Sequence, residues 1–305
     1  MRKLLTCLLI LSLFVPAAMA ETAWEPLLMA DPDDPDVALD IIPHVPDPAN
    51  FTEDTYEDET ISVTMEHVMV GDARFNVARV KIVDPSQLRT EVEKPYKDRN
   101  NLVINMASRQ NAVVAIGDDN YKSRSSYIVR MGKVMQKSKK KTGRDMLLID
   151  QNGDFIILKN PDEDGLNAVL EGDTPIINTF SFGPALVIDG ELQEIPATKD
   201  YAKKLGNTSG YEPRCAIGQT GPLEYMMVVV DGRGQEGSEG CSTEVLAQFM
   251  YEQGCVQAYN LDGGNSADMY FNSGLYSHEK STPRSLSGVI YFATLVDAGL
   301  DAEAE

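Results

Sequence analysis

From about residue 61 onward, short apolar runs alternate with turn residues, the pattern of a sheet-rich fold rather than of a helical bundle. Residues 77–83 mix apolar and polar positions, alternate most clearly from Val80, and stop at Asp84-Pro85. The run 112–116, Ala-Val-Val-Ala-Ile, is continuously apolar and short enough for a buried strand. Residues 127–130 lead into the turn Met131-Gly132. Residues 146–149 and 155–158 flank Asp150-Gln-Asn-Gly-Asp154, a hairpin signal. Residues 184–188 run to a turn at Asp189-Gly190, residues 215–217 and 225–230 bracket a turn at 218–222, and 288–293 predict a last strand. Helical signals are fewer. Ser242 is a good N-cap before an apolar face of Val245, Leu246, Phe249 and Met250, and Gly254 supplies the stop. A second, less periodic helix is predicted over 100–109. These elements predict an α+β fold, a single domain of mixed or antiparallel β-sheets covered by a few helices, over residues 61–298.

The ends of the chain carry different patterns. Arg2 and Lys3, an apolar run over 4–15 and small residues up to Ala20 predict a signal peptide, 1–20. Residues 21–60 hold thirteen Asp and Glu, six prolines and no Lys or Arg. So little apolar surface cannot offset the entropy of ordering, so 21–60 is expected to be a flexible acidic leader. The tail 299–305 is acidic too. The expected mature protein is secreted or held in the cell envelope, with no membrane insertion once the signal peptide is removed.

Charge and cysteine content narrow the partners. A formal charge of −20 repels nucleic acid and anionic membranes. One basic run, Lys137-Ser-Lys-Lys-Lys-Thr-Gly-Arg144, stands against that trend. It is either a solvated loop between strands or a contact for an anionic polymer. Beyond the signal peptide the cysteines are Cys215, Cys241 and Cys255. A helix between Cys241 and Cys255 separates that pair beyond disulfide reach, so Cys215 with Cys241 is the expected bridge. No Cys/His spacing suggests zinc. Asp231, Asp262 and Asp268 are oxygen donors suited to calcium or magnesium, but spacing alone does not bring them together, and no metal or other cofactor is assigned.

Three polar clusters fall at the ends of apolar runs: Gly117-Asp-Asp-Asn-Tyr121, Asp231-Gly-Arg233 with Ser238-Glu-Gly240, and Asn260-Leu-Asp-Gly-Gly-Asn-Ser266. Each alone has a plain reading as turn chemistry. Together, with Arg214 and Arg284 standing before strands, they suggest side chains converging from strand ends on one cleft.

Those same residues resemble the phosphodiester glycosidase domain family, which includes the lysosomal uncovering enzyme and bacterial exopolysaccharide biosynthesis relatives. The resemblance covers about 112–292. Ser181-Phe-Gly-Pro-Ala-Leu-Val187, Pro213-Arg-Cys-Ala-Ile-Gly218 and Arg284-Ser285 extend it. It implies hydrolysis of the bond between a sugar's anomeric carbon and a phosphodiester oxygen, in a surface or extracellular glycan. The alternative is a non-catalytic glycan-binding or envelope-associated relative. On this reading Asp262 is the first candidate for nucleophile or base and Asp231 the second, since a carboxylate stabilises an oxocarbenium-like transition state. Arg214, Arg233 and Arg284 are candidates for the phosphate, which guanidinium groups bind through paired hydrogen bonds. The Gly263 and Gly264 N–H groups are candidates for the same anion. Asn260, Asn265 and Ser266 are assigned to sugar hydroxyls or to orienting Asp262, and Asp119 fits the family's acidic position. Three positions depart from the family pattern: Gly117 for Asn, Cys215 for Thr, and Ala267 for a hydroxyl residue.

Overall fold

Alternation along the strand that contains residues 225–230 sets the architecture. Tyr225, Met227 and Val229 enter one buried cluster, while Met226, Val228 and Val230 enter another on the opposite face. Successive side chains on a strand point to opposite faces, so a run apolar at every position is a strand covered on both sides.

The computed structural model describes residues 44–93, 100–120, 124–195, 205–278 and 282–296. The expected signal peptide, residues 21–43 of the expected leader and the acidic tail lie outside the described residues. In chain order the strands are β1 (Thr55–Glu57), β2 (Ile61–Val70), β3 (Ala73–Ile82), β4 (Leu88–Val92), β5 (Val114–Gly117), β6 (Tyr127–Arg130), β7 (Lys133–Lys137), β8 (Met146–Asp150), β9 (Phe155–Leu158), β10 (Ile176–Phe180), β11 (Ala185–Ile188), β12 (Glu191–Leu192), β13 (Arg214–Gly221), β14 (Glu224–Val230), β15 (Gln257–Asn260), β16 (Met269–Phe271), β17 (Gly274–Leu275) and β18 (Gly288–Phe292). The helices are α1 (Val103–Arg109), α2 (Glu163–Leu170) and α3 (Thr243–Glu252).

Eight strands form one sheet in the order β1-β2-β3-β14-β13-β15-β11-β12, and five form another, β17-β16-β5-β18-β4. A three-stranded sheet, β10-β8-β9, and the hairpin β6-β7 complete the set. The strand pairings among the described residues are antiparallel. The α+β class expected from the pattern is therefore observed, with antiparallel sheets. The main core lies between the sheets and joins Val80, Ile217, Met227 and Tyr259 to Ile116, Met269, Ile290 and Phe292. The outer face of the large sheet is covered by α3 through Leu246, Phe249 and Met250. The outer face of the five-stranded sheet is covered by α1 through Val103, Met106 and Ala107. Burying each large apolar side chain of this kind contributes about 1.5–3 kcal/mol.

Several local expectations are met for local reasons. Ser242 caps α3 by accepting a hydrogen bond from the Val245 N–H at 3.2 Å, and Gly254 follows the helix at φ 85°. The hairpin β13–β14 is tighter than expected, because β13 continues through Gly221 and only two residues remain for the turn. Helix α1 begins at Val103 rather than Asn100. Asn101 is held extended by two backbone hydrogen bonds with Leu286, each 2.8 Å.

Two expectations are overturned. Residues 44–60 of the expected leader are built into the fold: β1 pairs with β2, and Tyr56 is 1% exposed. Acidic composition hid two aromatic anchors, Phe51, which packs against Phe271, and Tyr56, whose hydroxyl donates to Asp58 at 2.7 Å. Strand β2 itself was not anticipated, although Ile61-Ser-Val-Thr-Met-Glu66 alternates cleanly. The expected Cys215–Cys241 disulfide does not form. Cys215 faces the core between the sheets, whereas Cys241 lies under α3 on the other face of the large sheet. Burial pushes the Cys241 and Cys255 thiols up to about 12, which leaves them unreactive.

Candidate active site

The connections following β5, β7, β10, β15 and β17 are joined to one another by hydrogen bonds. The link between two of them is backbone, since the Asp262 N–H donates to the Asp118 carbonyl at 3.2 Å. The turn after β15 can lie this close because of its glycines. A Cβ at Gly263 meets the Pro213 carbonyl oxygen at 2.7 Å, and Gly264 has φ +63°.

Asp262 is 5% exposed. Nη2 of Arg284 reaches both of its carboxylate oxygens, at 2.7 and 2.6 Å, while the Arg284 Nε donates to Ser266 Oγ at 2.5 Å. Burial raises the Asp262 carboxyl above its ordinary range, against the pull of the Arg284 and Arg124 guanidinium charges. Such a group ionises near its partners yet keeps enough basicity to attack or to accept a proton. Arg284, expected on a phosphate, is paired with this carboxylate.

The remaining predicted residues divide. Asn265 and Arg233 meet: Nη1 of Arg233 donates to Asn265 Oδ1 at 2.5 Å, and its Nε donates to Glu212 at 2.9 Å. They form an exposed bridge beside Gly264. The Gly264 N–H is committed to the Pro213 carbonyl at 2.9 Å, so it is not offered to an anion. Asn260 is buried and donates to the Gly183 carbonyl at 2.8 Å. Arg214 turns away from the turn it packs under. Its guanidinium is taken up by the carbonyls of Cys241, Asn207 and Gly210 at 2.7–2.9 Å. Asp231 is fully buried and accepts from Arg74 Nε at 2.8 Å, Asn76 Nδ2 at 2.9 Å and the His278 N–H at 3.1 Å. These three donors make Asp231 one half of an internal ion pair. Among the described residues no cluster of His, Cys, Asp and Glu is arranged to hold a metal ion.

Asp119 belongs to a second acidic centre. Its carboxylate accepts from Arg130 Nη2 at 2.6 Å and from the Ser181 N–H at 2.8 Å. Asp118, beside it, is fully buried and 3.4 Å from the same Arg130 nitrogen. Burial first, then the Asp119 charge, push the Asp118 carboxyl up to about 7, against the pull of Arg130. The folded state thus holds this proton to a higher pH than the unfolded chain, where an Asp titrates near 3.9. Stability from this group is complete below about pH 4 and is lost as pH rises through the folded value. Relative to an Asp118→Asn variant, the wild type is therefore expected to lose denaturation midpoint from pH 4 to pH 7. Urea titrations of both at several pH values measure it, and a pH-independent difference excludes the effect.

The open space itself adjoins these groups. A cavity of about 460 Å³ is lined by Arg124, Ser125, Ser138, Lys140, Lys141, Thr142, Arg144 and Ser181. Five residues of the basic run 137–144 line it, whereas none of the residues assigned to catalysis or substrate from the family resemblance does. It is nevertheless one contact from them. Arg124 Nε donates to the Asp119 carbonyl at 3.0 Å, Ser181 holds the Asp119 carboxylate, and Arg144 feels the charges of Asp119 and Asp262. The Phe182 ring lies beneath Arg124 and Arg144, at 4.9 and 5.8 Å. Burial and the Arg124 charge both lower the Arg144 pKa. Arg124 is thus an anion-binding candidate that the sequence did not offer, and Arg144 one that it offered only within the basic run. Arg144 ends the basic run, so one signal was present; Arg124 carried none.

The three departures lie in the interior rather than in the cavity. A Cβ at Gly117 meets Leu286 at 2.4 Å, so Leu286 occupies the space an Asn needs. Cys215 and Ala267 are fully buried in the core between the sheets.

Comparison with known proteins identifies the fold and the family. The model of the family described as phosphodiester glycosidase matches residues 104–293. A SPbeta prophage-derived uncharacterized protein, YomE, of Bacillus subtilis (strain 168) is 27% identical over 171 residues, 54% of this chain. The chain spans only 25% of the length of that curated relative. The catalytic domain of zebrafish N-acetylglucosamine-1-phosphodiester alpha-N-acetylglucosaminidase, auto-inhibited by its pro-peptide, superposes with a TM-score of 0.61 at 18% identity. That match covers 82% of this chain and 87% of the other. A hypothetical protein from Synechocystis has a TM-score of 0.52 at 17% identity, over 77% of this chain and 62% of that one.

Proposed function

The chain belongs to the phosphodiester glycosidase family, and from that premise we propose that it hydrolyses a glycosyl-1-phosphodiester of a surface or extracellular glycan. One observation carries the reading: the buried carboxyl Asp262 is hydrogen-bonded through its backbone to Asp118, and the next residue, Asp119, holds Arg124 of a basic cavity large enough for a phosphorylated sugar.

The chemistry follows from the charges. The bond from the anomeric carbon to the bridging oxygen breaks, and its electron pair stays with the phosphate. Positive charge gathers on the sugar ring, where the Asp262 carboxylate stabilises it or attacks. Arg284 keeps that carboxylate ionisable despite its burial. Arg124 and Arg144 receive the departing phosphate. Water supplies the oxygen of the new sugar hydroxyl, and its remaining proton goes to the medium or to the phosphomonoester. A phosphate leaves more readily than an alcohol, so a strong general acid is not required. The departures at Gly117, Cys215 and Ala267 are absorbed by core packing, which favours the catalytic reading over a binding-only relative.

The test is a panel of sugar-1-phosphodiesters differing in sugar, with both products identified. Free reducing sugar together with a phosphomonoester is expected. Release of sugar 1-phosphate, or no release from any member of the panel, rejects the proposal.

A further inference from the structure

The cavity carries more positive charge than one phosphodiester needs. Arg124, Lys140, Lys141 and Arg144 all line it, and among the described residues its other lining groups are the hydroxyls of Ser125, Ser138, Thr142 and Ser181, with no carboxylate. This stands out in a chain of formal charge −20. A phosphodiester bears a single negative charge, so one such group leaves most of this charge unmatched.

The four cations also differ in how they are held. Arg124 and Arg144 are half-buried and fixed, by the Asp119 carbonyl at 3.0 Å and the Phe182 carbonyl at 2.7 Å respectively. Lys140 and Lys141 are exposed, and among the described residues no ion pair engages either of them. Their neighbour Lys139 is committed elsewhere, to the Asn167 side chain and the Tyr127 ring. The arrangement is an inner, rigid arginine pair nearer the acidic centre and an outer lysine pair nearer solvent.

Building on the glycosidase reading, we infer that Lys140 and Lys141 form a subsite for a second phosphate on the aglycone side of the scissile bond, so that the substrate is a polyanion rather than an isolated diester. The inner arginines bind the reacting phosphate, and the lysines bind the next negative group along the chain. Two sources fit this chemistry: a glycan whose units are joined by repeated phosphodiesters, and a sugar diphosphate whose second phosphate is adjacent.

Three substrates of one sugar separate the possibilities: its 1-phosphate methyl ester, its 1-phosphodiester carrying a second phosphate one unit away, and its diphosphate ester. For the full chain at low salt, the ratio of kcat/KM for a two-phosphate substrate to that for the methyl ester is expected to be about tenfold or more, the equivalent of one or two charge-assisted hydrogen bonds. The gain is expected in KM. It should collapse towards unity in K140A/K141A, reverse in K140E/K141E, and shrink with added salt, because exposed charges are screened. Preference for the spaced substrate indicates the polymer, and preference for the diphosphate ester indicates the sugar diphosphate. A wild-type ratio near one, or a ratio unchanged in both variants, overturns the subsite. Calorimetry with inorganic tripolyphosphate keeps the result separate from the glycosidase reading. If no substrate turns over, that reading fails, yet tripolyphosphate binding lost in K140A/K141A still supports the subsite, and absent binding overturns it.

Discussion

Asp262→Asn is expected to lower kcat/KM for a sugar-1-phosphodiester by at least about a thousandfold, the scale on which removal of a transition-state charge acts. The replacement is isosteric, so the loss is chemical rather than structural. The backbone bond from residue 262 to the Asp118 carbonyl is untouched, and Arg284 keeps its hydrogen bond to Ser266. Removing the charge also relieves a desolvation cost, because burial is what raises the Asp262 carboxyl. The thermal midpoint is therefore expected to hold or to rise slightly. Released reducing sugar and a denaturation curve, measured on the same preparation, give both readouts. An Asn variant within tenfold of wild type removes Asp262 from the chemistry.

Asp231→Ala is expected to do the reverse. Loss of one partner from a buried, hydrogen-bonded ion pair costs about 3–5 kcal/mol. Here the carboxylate satisfies Arg74, the wholly buried Asn76 and the His278 N–H at once. Arg74 retains its contact with Glu236 at 2.7 Å, but on an exposed partner where an ion pair is weak. A lower urea midpoint is the expected result, with specific activity preserved in the fraction that stays folded. Lost activity at unchanged stability contradicts this assignment and restores Asp231 as a catalytic candidate. The two aspartates stood side by side as candidates in sequence, and their surroundings give them opposite roles.

The difference between these residues explains what sequence reading reaches. Residues 225–230 announce a doubly covered strand because alternation is a local property of the backbone. Ser242 and Gly254 announce the ends of a helix because capping involves residues three or four apart. Arg214 and Arg233 looked alike as strand-end guanidinium groups. Arg214 is consumed by two carbonyls of the loop just before it and by the Cys241 carbonyl 27 residues on, and no side-chain pattern marks those backbone acceptors. Arg124 had no local mark at all, yet it lines the cavity.

By itself, then, the sequence determined a framework of mixed or antiparallel sheets, the capped helix behind it, and the Asn-Leu-Asp-Gly-Gly turn that carries Asp262. Those features depend on residues within a few positions of one another. Only the tertiary structure decided which cations face the cavity, which acid is spent on an internal ion pair, and that two cysteines lie on opposite sides of one sheet. Each of those outcomes is a contact between segments tens of residues apart. It is set by which loops the packing of sheet on sheet brings to the same edge, information that no local window of the chain contains.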